Sequence, residues 1–287
     1  MNPSFEELKK ILPSSGSNLN EIQKYIDKYK NELIVIKYGG NLNISRAVFN
    51  NFIKDVSILH KLGLSIIVVH GGGPRINKEL EKSNIQSKFL KGIRVTDSKI
   101  INIVENVLID FNNDIVKSLR ELNTEAVSIH TKQNNIIEVI PESKELGYVG
   151  KPSKIKNDVI MDIIKENKVP VISPLGLGEN NQTFNINGDT AATAIAKSLK
   201  SRRLLLMTNV DGVLDKEKKL IEEISSSEIL KMIENETISG GMIPKIQGCL
   251  DAINNGVTGV GIINGTKQHS CLLEIFSDKG SGTLIRK

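Results

Sequence analysis

The sequence has no tryptophan, and aromatic residues fill only 4% of its 287 positions. A protein that binds single-stranded nucleic acid needs aromatic platforms for its bases, so that class loses support. Cysteine is scarce as well. Cys249 and Cys271 are too few for a disulfide scaffold and too far apart for a metal-ligand spacing, and they read as reduced cytosolic thiols. No apolar run approaches the roughly 18 residues that a membrane helix needs. The opening MNPSFEELKK carries no apolar stretch behind its charges, so it does not read as a secretory signal. Internal repeats and low-complexity tracts are also missing. These absences leave a cytoplasmic enzyme or binding protein, with neither a membrane nor a nucleic acid as partner.

What is present suits a folded α/β protein. Apolar residues at 39%, with 23 glycines, supply an ordinary core, and the length fits one large domain or two modest ones. The formal net charge is +5 and the pI is near 9.0. Lys and Arg are interleaved with Asp and Glu along the helical stretches, unlike the basic stripe of a duplex binder. A modest positive excess gathered in one cleft would instead suit an anionic small molecule.

Short β-branched runs at 33–37, 66–70, 126–130, 171–173, 204–208 and 260–263 alternate with amphipathic stretches at 46–62, 76–83, 98–122, 157–167, 190–199 and 244–255. Mostly continuous apolar runs predict strands covered on both faces, hence an open αβα sandwich around a central, mostly parallel sheet. Ligands of such sheets gather outside the carboxyl ends of the strands. Residues 1–31 form an N-terminal helical extension. Its pattern around Leu19, Ile22 and Ile26 is split from the stretch 5–12 by a loop at 13–17. Residues 138–156, with Pro141, Gly147, Gly150 and Pro152, read as hairpin and loop, either a substrate-side flap or an idle surface loop. A soft boundary near 173–176 divides the remainder into lobes of one continuous sheet, 32–174 and 175–287.

Three glycine clusters adjoin these elements: Gly39-Gly40 and Gly71-Gly72-Gly73 after predicted strands, and Gly240-Gly241 before a helix. Glycine lets backbone N–H groups close on an anion, and a helix N-terminus adds its positive dipole end. None fits GxGxxG or GxxxxGK[ST]. Lys37, at the end of a buried-looking strand, either reaches past it to the surface or serves a site. Lys245 reads as an exposed helix lysine or as a second point charge for a phosphate chain. Asp189 is either a helix cap or favourable first-turn carboxylate, or an acid that holds two ammonium groups in place. Arg94 could grip a carboxylate bidentately or pair with a surface acid. Asn185 offers both donor and acceptor, though asparagine is also a common turn residue. His70 and His130 read as ordinary strand-end histidines, and no metal site is predicted.

Six segments together resemble acetylglutamate kinases, of the amino-acid kinase family. They are VIKYGG (35–40), VVHGGGP (68–74), KGIRVTD (91–97), NINGDTAA (185–192), GGMIPK (240–245) and LLEIF with GSGTLI (272–285). The resemblance implies an amino-acid kinase-like fold that phosphorylates the side-chain carboxylate of N-acetyl-L-glutamate with ATP, the second step of arginine synthesis by the acetylated route. It implies that Lys37 and Lys245 stabilise the phosphoryl group in transit and that Asp189 orients them. Gly39, Gly40 and Gly71–Gly73 would donate backbone hydrogen bonds, Gly72 and Gly73 on the substrate side. Arg94 and Asn185 would hold the rest of the substrate, in a 32–174 lobe that also dimerises. Asn209, Val210, Asp211 and Gly212 would line the nucleotide pocket of the 175–287 lobe, with Mg²⁺ arriving on ATP.

The chain also departs from that family. It has Asn209 where an aspartate is usual. Arginine-inhibited members carry a counterpart of Tyr25 in their N-terminal helix and of Glu274, which makes these two a candidate arginine effector site. Those members also carry a histidine where this chain has Gly261, so arginine inhibition stays open. The resemblance implies a homodimer, extended to a homohexamer if the N-terminal helix associates. Two rivals make different predictions: a kinase of a longer aminoadipate homologue, and a nucleotide-binding protein that has lost a catalytic charge.

Overall fold

Side chains branched at Cβ are crowded in a helix and at ease in a pleated sheet, and the apolar runs form strands accordingly. The computed structural model describes residue 10, residues 19–39, residue 42 and residues 45–287. Apart from Lys10, the stretch 5–12 and the loop 13–17 lie outside the described residues, as does Gly40.

The described chain begins with α1 (Leu19–Tyr29), β1 (Leu33–Tyr38), α2 (Arg46–Lys61), β2 (Ser65–His70) and α3 (Gly73–Lys82). A small hairpin, β3 (Phe89–Leu90) and β4 (Ile93–Arg94), leads into the long α4 (Ser98–Glu121) and then β5 (Ala126–Ile129). Next come β6 (Ile137–Pro141), β7 (Gly150–Ile155), α5 (Asn157–Lys165), β8 (Val169–Ile172), β9 (Leu175–Leu177), β10 (Thr183–Asn185) and α6 (Gly188–Ser198). The remainder carries β11 (Arg203–Thr208), β12 (Glu223–Ser225), α7 (Ser226–Glu234), α8 (Met242–Asn254), β13 (Val260–Asn264), α9 (Ser270–Phe276) and β14 (Gly282–Arg286).

Eight strands form one sheet in the order β12-β14-β13-β11-β1-β2-β8-β5. Every pairing is parallel except β13 with β14. The expected mostly parallel αβα sandwich is therefore present, and all six runs read from the sequence lie in its sheet. Alternation along β1 sorts its side chains between two cores. Ile34, Ile36 and Tyr38 join α1, α2, α4 and α9 on one face, and Val35 joins α5, α6 and α8 on the other. Lys37 follows Val35 by two residues and so points to the α6 face.

Several boundaries differ from the sequence reading. α3 starts at Gly73 rather than 76, with Pro74 in its first turn, where a missing N–H costs nothing. α6 starts at Gly188, and its cap is Asn187, whose side chain accepts from the N–H groups of Asp189 and Thr190. The cap is therefore not Asp189, which lies in the first turn, as the other half of that alternative had it. Residues 138–156 are the β6–β7 hairpin, which β9 and β10 extend to a four-stranded sheet in the order β10-β9-β6-β7. The idle-loop alternative fails because the Tyr148 N–H donates to the Thr96 carbonyl (2.6 Å) and the Asn185 N–H to the Tyr148 carbonyl (2.9 Å). That sheet draws strands from both sides of residue 174. Cys249 and Cys271 are free and buried.

Candidate active site

β11, β1 and β2 are parallel neighbours, so their carboxyl ends at Thr208, Tyr38 and His70 open on one edge. The glycine loop after β2 starts there, and the N-terminus of α6 lies against it: a Cβ on Gly188 would be 3.6 Å from Gly71 Cα. The Lys37 side chain is mostly buried, 8% exposed overall, so the surface reading of this residue is wrong. Its Nζ lies 2.6 Å from Asp189 Oδ1. Gly188 gives the lysine its path, because a Cβ there would lie 3.2 Å from Lys37 Cε. Lys245, in the first turn of α8, donates to the other oxygen of Asp189. It is no idle surface lysine. Partial burial by itself would raise the Asp189 pKa, but the two ammonium groups overrule it and hold the carboxyl well below its usual range.

These residues border a cavity of about 360 Å³ that also meets Gly39, Gly71–Gly73, Arg94, Asn185 and Thr208. A neighbouring cavity of about 970 Å³ shares Asp189 and Lys245 and reaches Gly240 and Gly241. The ion triad therefore stands where two cavities meet. A Cβ on Gly72 would collide with the Leu108 side chain on α4, which would have to shift.

Arg94 is buried and spends its guanidinium on neutral acceptors: Ser87 Oγ, Asn77 Oδ1 (2.7 Å) and the Gly73 carbonyl (3.4 Å). The Phe89 ring lies 4.8 Å from it. Among the described residues no acid neutralises it, so pairing with a surface acid is excluded, and burial lowers its pKa. A buried, uncompensated arginine beside a cavity is a site for a carboxylate. Asn185 hydrogen-bonds Thr96 Oγ1 at 3.3 Å and lines the same cavity.

Other candidates fall outside this cluster. Asn209, Val210 and Asp211 are exposed on the loop that continues from Thr208, and with Gly212 they border neither cavity. Asp211 pairs with Lys267 (2.7 Å) and accepts from Asn264 (2.7 Å); the Lys267 hydrogen bond leads in holding its pKa low. Tyr25 and Glu274 lie around α9, outside both cavities. The Tyr25 hydroxyl donates to Asp278 (2.5 Å), and Glu274, whose pKa burial raises, accepts from the Ser281 N–H (2.7 Å). Gly261 faces Glu274, since a Cβ on it would lie 3.1 Å from Glu274 Oε1.

The sequence reading missed a buried polar cluster behind the second glycine loop. His70, read as ordinary, is fully buried and contacts Ser173, Asn112 and the Gly71 carbonyl. Its signal was a histidine directly before three glycines at the end of an apolar strand. Among the described residues no group of three or more His, Cys, Asp or Glu is placed to hold a metal ion, and no helix is long and apolar enough to cross a membrane.

The chain is similar to known proteins. The model of the amino acid kinase family matches residues 32–264. An acetylglutamate kinase from Pelagibacter ubique (strain HTCC1062) is 55% identical over 98% of both chains. Another from Clostridioides difficile (strain 630) is 42% identical over 95% of this chain and 97% of its own. Among solved structures, an N-acetylglutamate synthase from Neisseria gonorrhoeae, complexed with coenzyme A and N-acetyl-glutamate, superposes with a TM-score of 0.84 at 22% identity. That match covers 93% of this chain but spans only 62% of the synthase, and it speaks to the fold alone. A carbamate kinase from Giardia lamblia bound to AMP-PNP gives a TM-score of 0.67 at 17% identity, over 89% of this chain and 98% of its own.

Proposed function

The chain belongs to the amino acid kinase family, among the acetylglutamate kinases, and from that membership we infer how its residues carry the reaction. The activity is ATP-dependent phosphorylation of the side-chain carboxylate of N-acetyl-L-glutamate, giving N-acetyl-L-glutamyl 5-phosphate and ADP in arginine biosynthesis. The observation that carries the residue assignment is the Lys37–Asp189–Lys245 triad at the junction of two cavities.

A carboxylate is already ionised at neutral pH, so the chemistry needs no general base. One carboxylate oxygen forms a bond to the γ-phosphorus while the bond to the bridging oxygen breaks, and ADP leaves with that electron pair. The work left for the protein is positioning and charge stabilisation. Lys37 and Lys245 supply positive charge to the phosphoryl oxygens, and Asp189 fixes the distance between the two ammonium groups. Backbone N–H groups of Gly39 and Gly40 would serve the phosphate and those of Gly72 and Gly73 the substrate carboxylate. The expected Gly71 donor is corrected: its N–H is already given to the Tyr38 carbonyl at 2.9 Å. Arg94 takes the α-carboxylate, and Asn185 the acetamido group.

We assign the loop Asn209-Val210-Asp211-Gly212 to the nucleotide because it continues from Thr208 at the smaller cavity, although it borders neither cavity itself. In this reading 32–174 holds the acetylated substrate and the dimer contact, and 175–287 holds ATP. Mg²⁺ enters bound to ATP, where it would neutralise the outer phosphate oxygens. With Asp189 committed to two lysines, the described residues of the cavity offer the ion no free carboxylate. A cytoplasmic location accords with a biosynthetic role.

Hydroxylamine trapping with ATP and Mg²⁺ tests the reading, with N-acetylglutamate, glutamate and aspartate run in parallel. Hydroxamate should form with the acetylated substrate alone, and equal activity on free glutamate would overturn the assignment. We assign Tyr25 and Glu274 as the arginine effector site. Titrating activity with arginine decides that, inhibition supporting it and its absence removing it. Sizing the protein with and without its first thirty or so residues separates hexamer from dimer.

A further inference from the structure

The second glycine loop is held from behind by side chains that border neither of the two cavities. Asn112 on α4 donates from Nδ2 to the Val171 carbonyl (2.9 Å), and its Oδ1 accepts from the Ser128 hydroxyl (2.6 Å). Those two bonds fix which way the amide faces, because a carbonyl such as that of Val171 can only accept. The same Nδ2 lies 3.2 Å from His70 Nε2, which must therefore be the accepting nitrogen of the ring. On the other side, His70 Nδ1 lies 3.0 Å from the Gly71 carbonyl, and that oxygen can only accept. The Asn112 amide at one end of the imidazole and the Gly71 carbonyl at the other both call for the proton on Nδ1; the Ser173 hydroxyl, 3.2 Å from Nε2 and 3.5 Å from the Leu108 carbonyl, can donate to either.

We propose that His70 is a positioning residue that, as the neutral Nδ1–H tautomer, holds the Gly71 carbonyl and so turns the Gly72 N–H into the cavity. In a trans peptide the carbonyl and the following N–H point in opposite directions, and the described chain has no cis bond. Gly72 borders the cavity, and among the described residues its N–H has no backbone acceptor. Leu108 and Ser173 close the rear wall: a side chain on Gly72 would strike Leu108, and Ser173 Oγ lies 3.2 Å from His70 Nε2. Burial pushes the His70 pKa down to about 4, with Arg75 as the charge that acts on it, so the ring stays neutral across the physiological range. A donor aimed before substrate arrives needs no reorientation during the reaction. What the Gly72 N–H donates to rests on the kinase reading above; the tautomer does not.

The test has two arms. In the intact protein labelled with ¹⁵N-histidine, His70 can be assigned through its contact with the Phe111 ring, 5.0 Å away between centroids. Its Nδ1 should carry the proton throughout neutral pH, and an Nε2–H tautomer overturns the proposal. The second arm compares two amides that mimic opposite ends of the ring. H70N keeps a donor near the Nδ1 position and loses the Asn112 link, whereas H70Q keeps that link and loses the Gly71 contact. H70Q should lower kcat by roughly tenfold or more through a displaced donor, while H70N keeps kcat near wild type at a lower Tm. Activity that instead follows Tm in both variants overturns the proposal. Failure of the wild-type enzyme to form hydroxamate would sink the kinase reading and leave the tautomer result standing.

Discussion

Lys37 and Lys245, brought from the two ends of the fold, hold opposite oxygens of the same carboxylate, that of Asp189. One acid between two ammonium groups keeps them together against their repulsion and sets their spacing for a third, anionic group. Asp189→Asn removes the charge and leaves the shape. We expect kcat to fall roughly a hundredfold, the scale of losing a preorganised electrostatic contact, with KM for N-acetylglutamate little changed. Steady-state ADP release measures both, and an unaltered kcat would remove Asp189 from the machinery.

Arg94 predicts the opposite split. Its guanidinium serves ground-state binding, so Arg94→Lys should raise KM for N-acetylglutamate by roughly tenfold or more and change kcat far less. Lysine keeps the charge but loses the planar fork that meets Ser87, Asn77 and the Gly73 carbonyl together. A KM equal to that of the parent enzyme would move the carboxylate elsewhere.

The buried histidine makes a stability prediction. A histidine whose folded pKa is depressed favours folding while neutral, so its contribution is complete above the ordinary value of 6.5 and fades as pH falls toward about 4. Over that window the unfolded chain binds the extra proton, and His70 alone is worth about 3 kcal/mol. Denaturant melts at stepped pH should show stability falling from 6.5 downward. H70N should show a smaller fall across the same window, since it lacks the titrating ring; equal slopes would show that His70 is not the group responsible.

Much of this site could be read from the sequence because its residues break local rules. Lys37 is a charge in an apolar strand, and Gly71–Gly73 are three consecutive glycines at a strand end. Strands buried on both faces need unbroken apolar runs, which made six of the eight sheet strands visible. The exceptions lie together at one side of the sheet: β12 at the edge has only three residues, and β14 carries only Leu284 and Ile285 as apolar side chains. The helix α9, with seven residues, is too brief to show a period, and the sequence reading passed over the Ser225–Glu228 capping box that starts α7. Asn112 and Ser173 could not be read as partners of His70. They lie 42 and 103 residues from it, and only the crossing of α4 behind β2 and β8 brings them together. Tyr25 and Glu274 depended on resemblance throughout, for nothing in their local sequence distinguishes them.

The central claim is that Lys37 and Lys245 act on one phosphoryl group. Hydroxamate formation by Lys37→Ala, Lys245→Ala and the double variant tests it most directly, with kcat and KM determined for each. If the pair works as a unit, each single substitution should cut kcat by on the order of a hundredfold with a small effect on KM. The double variant should then lose far less than the product of the two. A single variant that retains the parent kcat, or a double variant whose loss is the full product, would contradict the account.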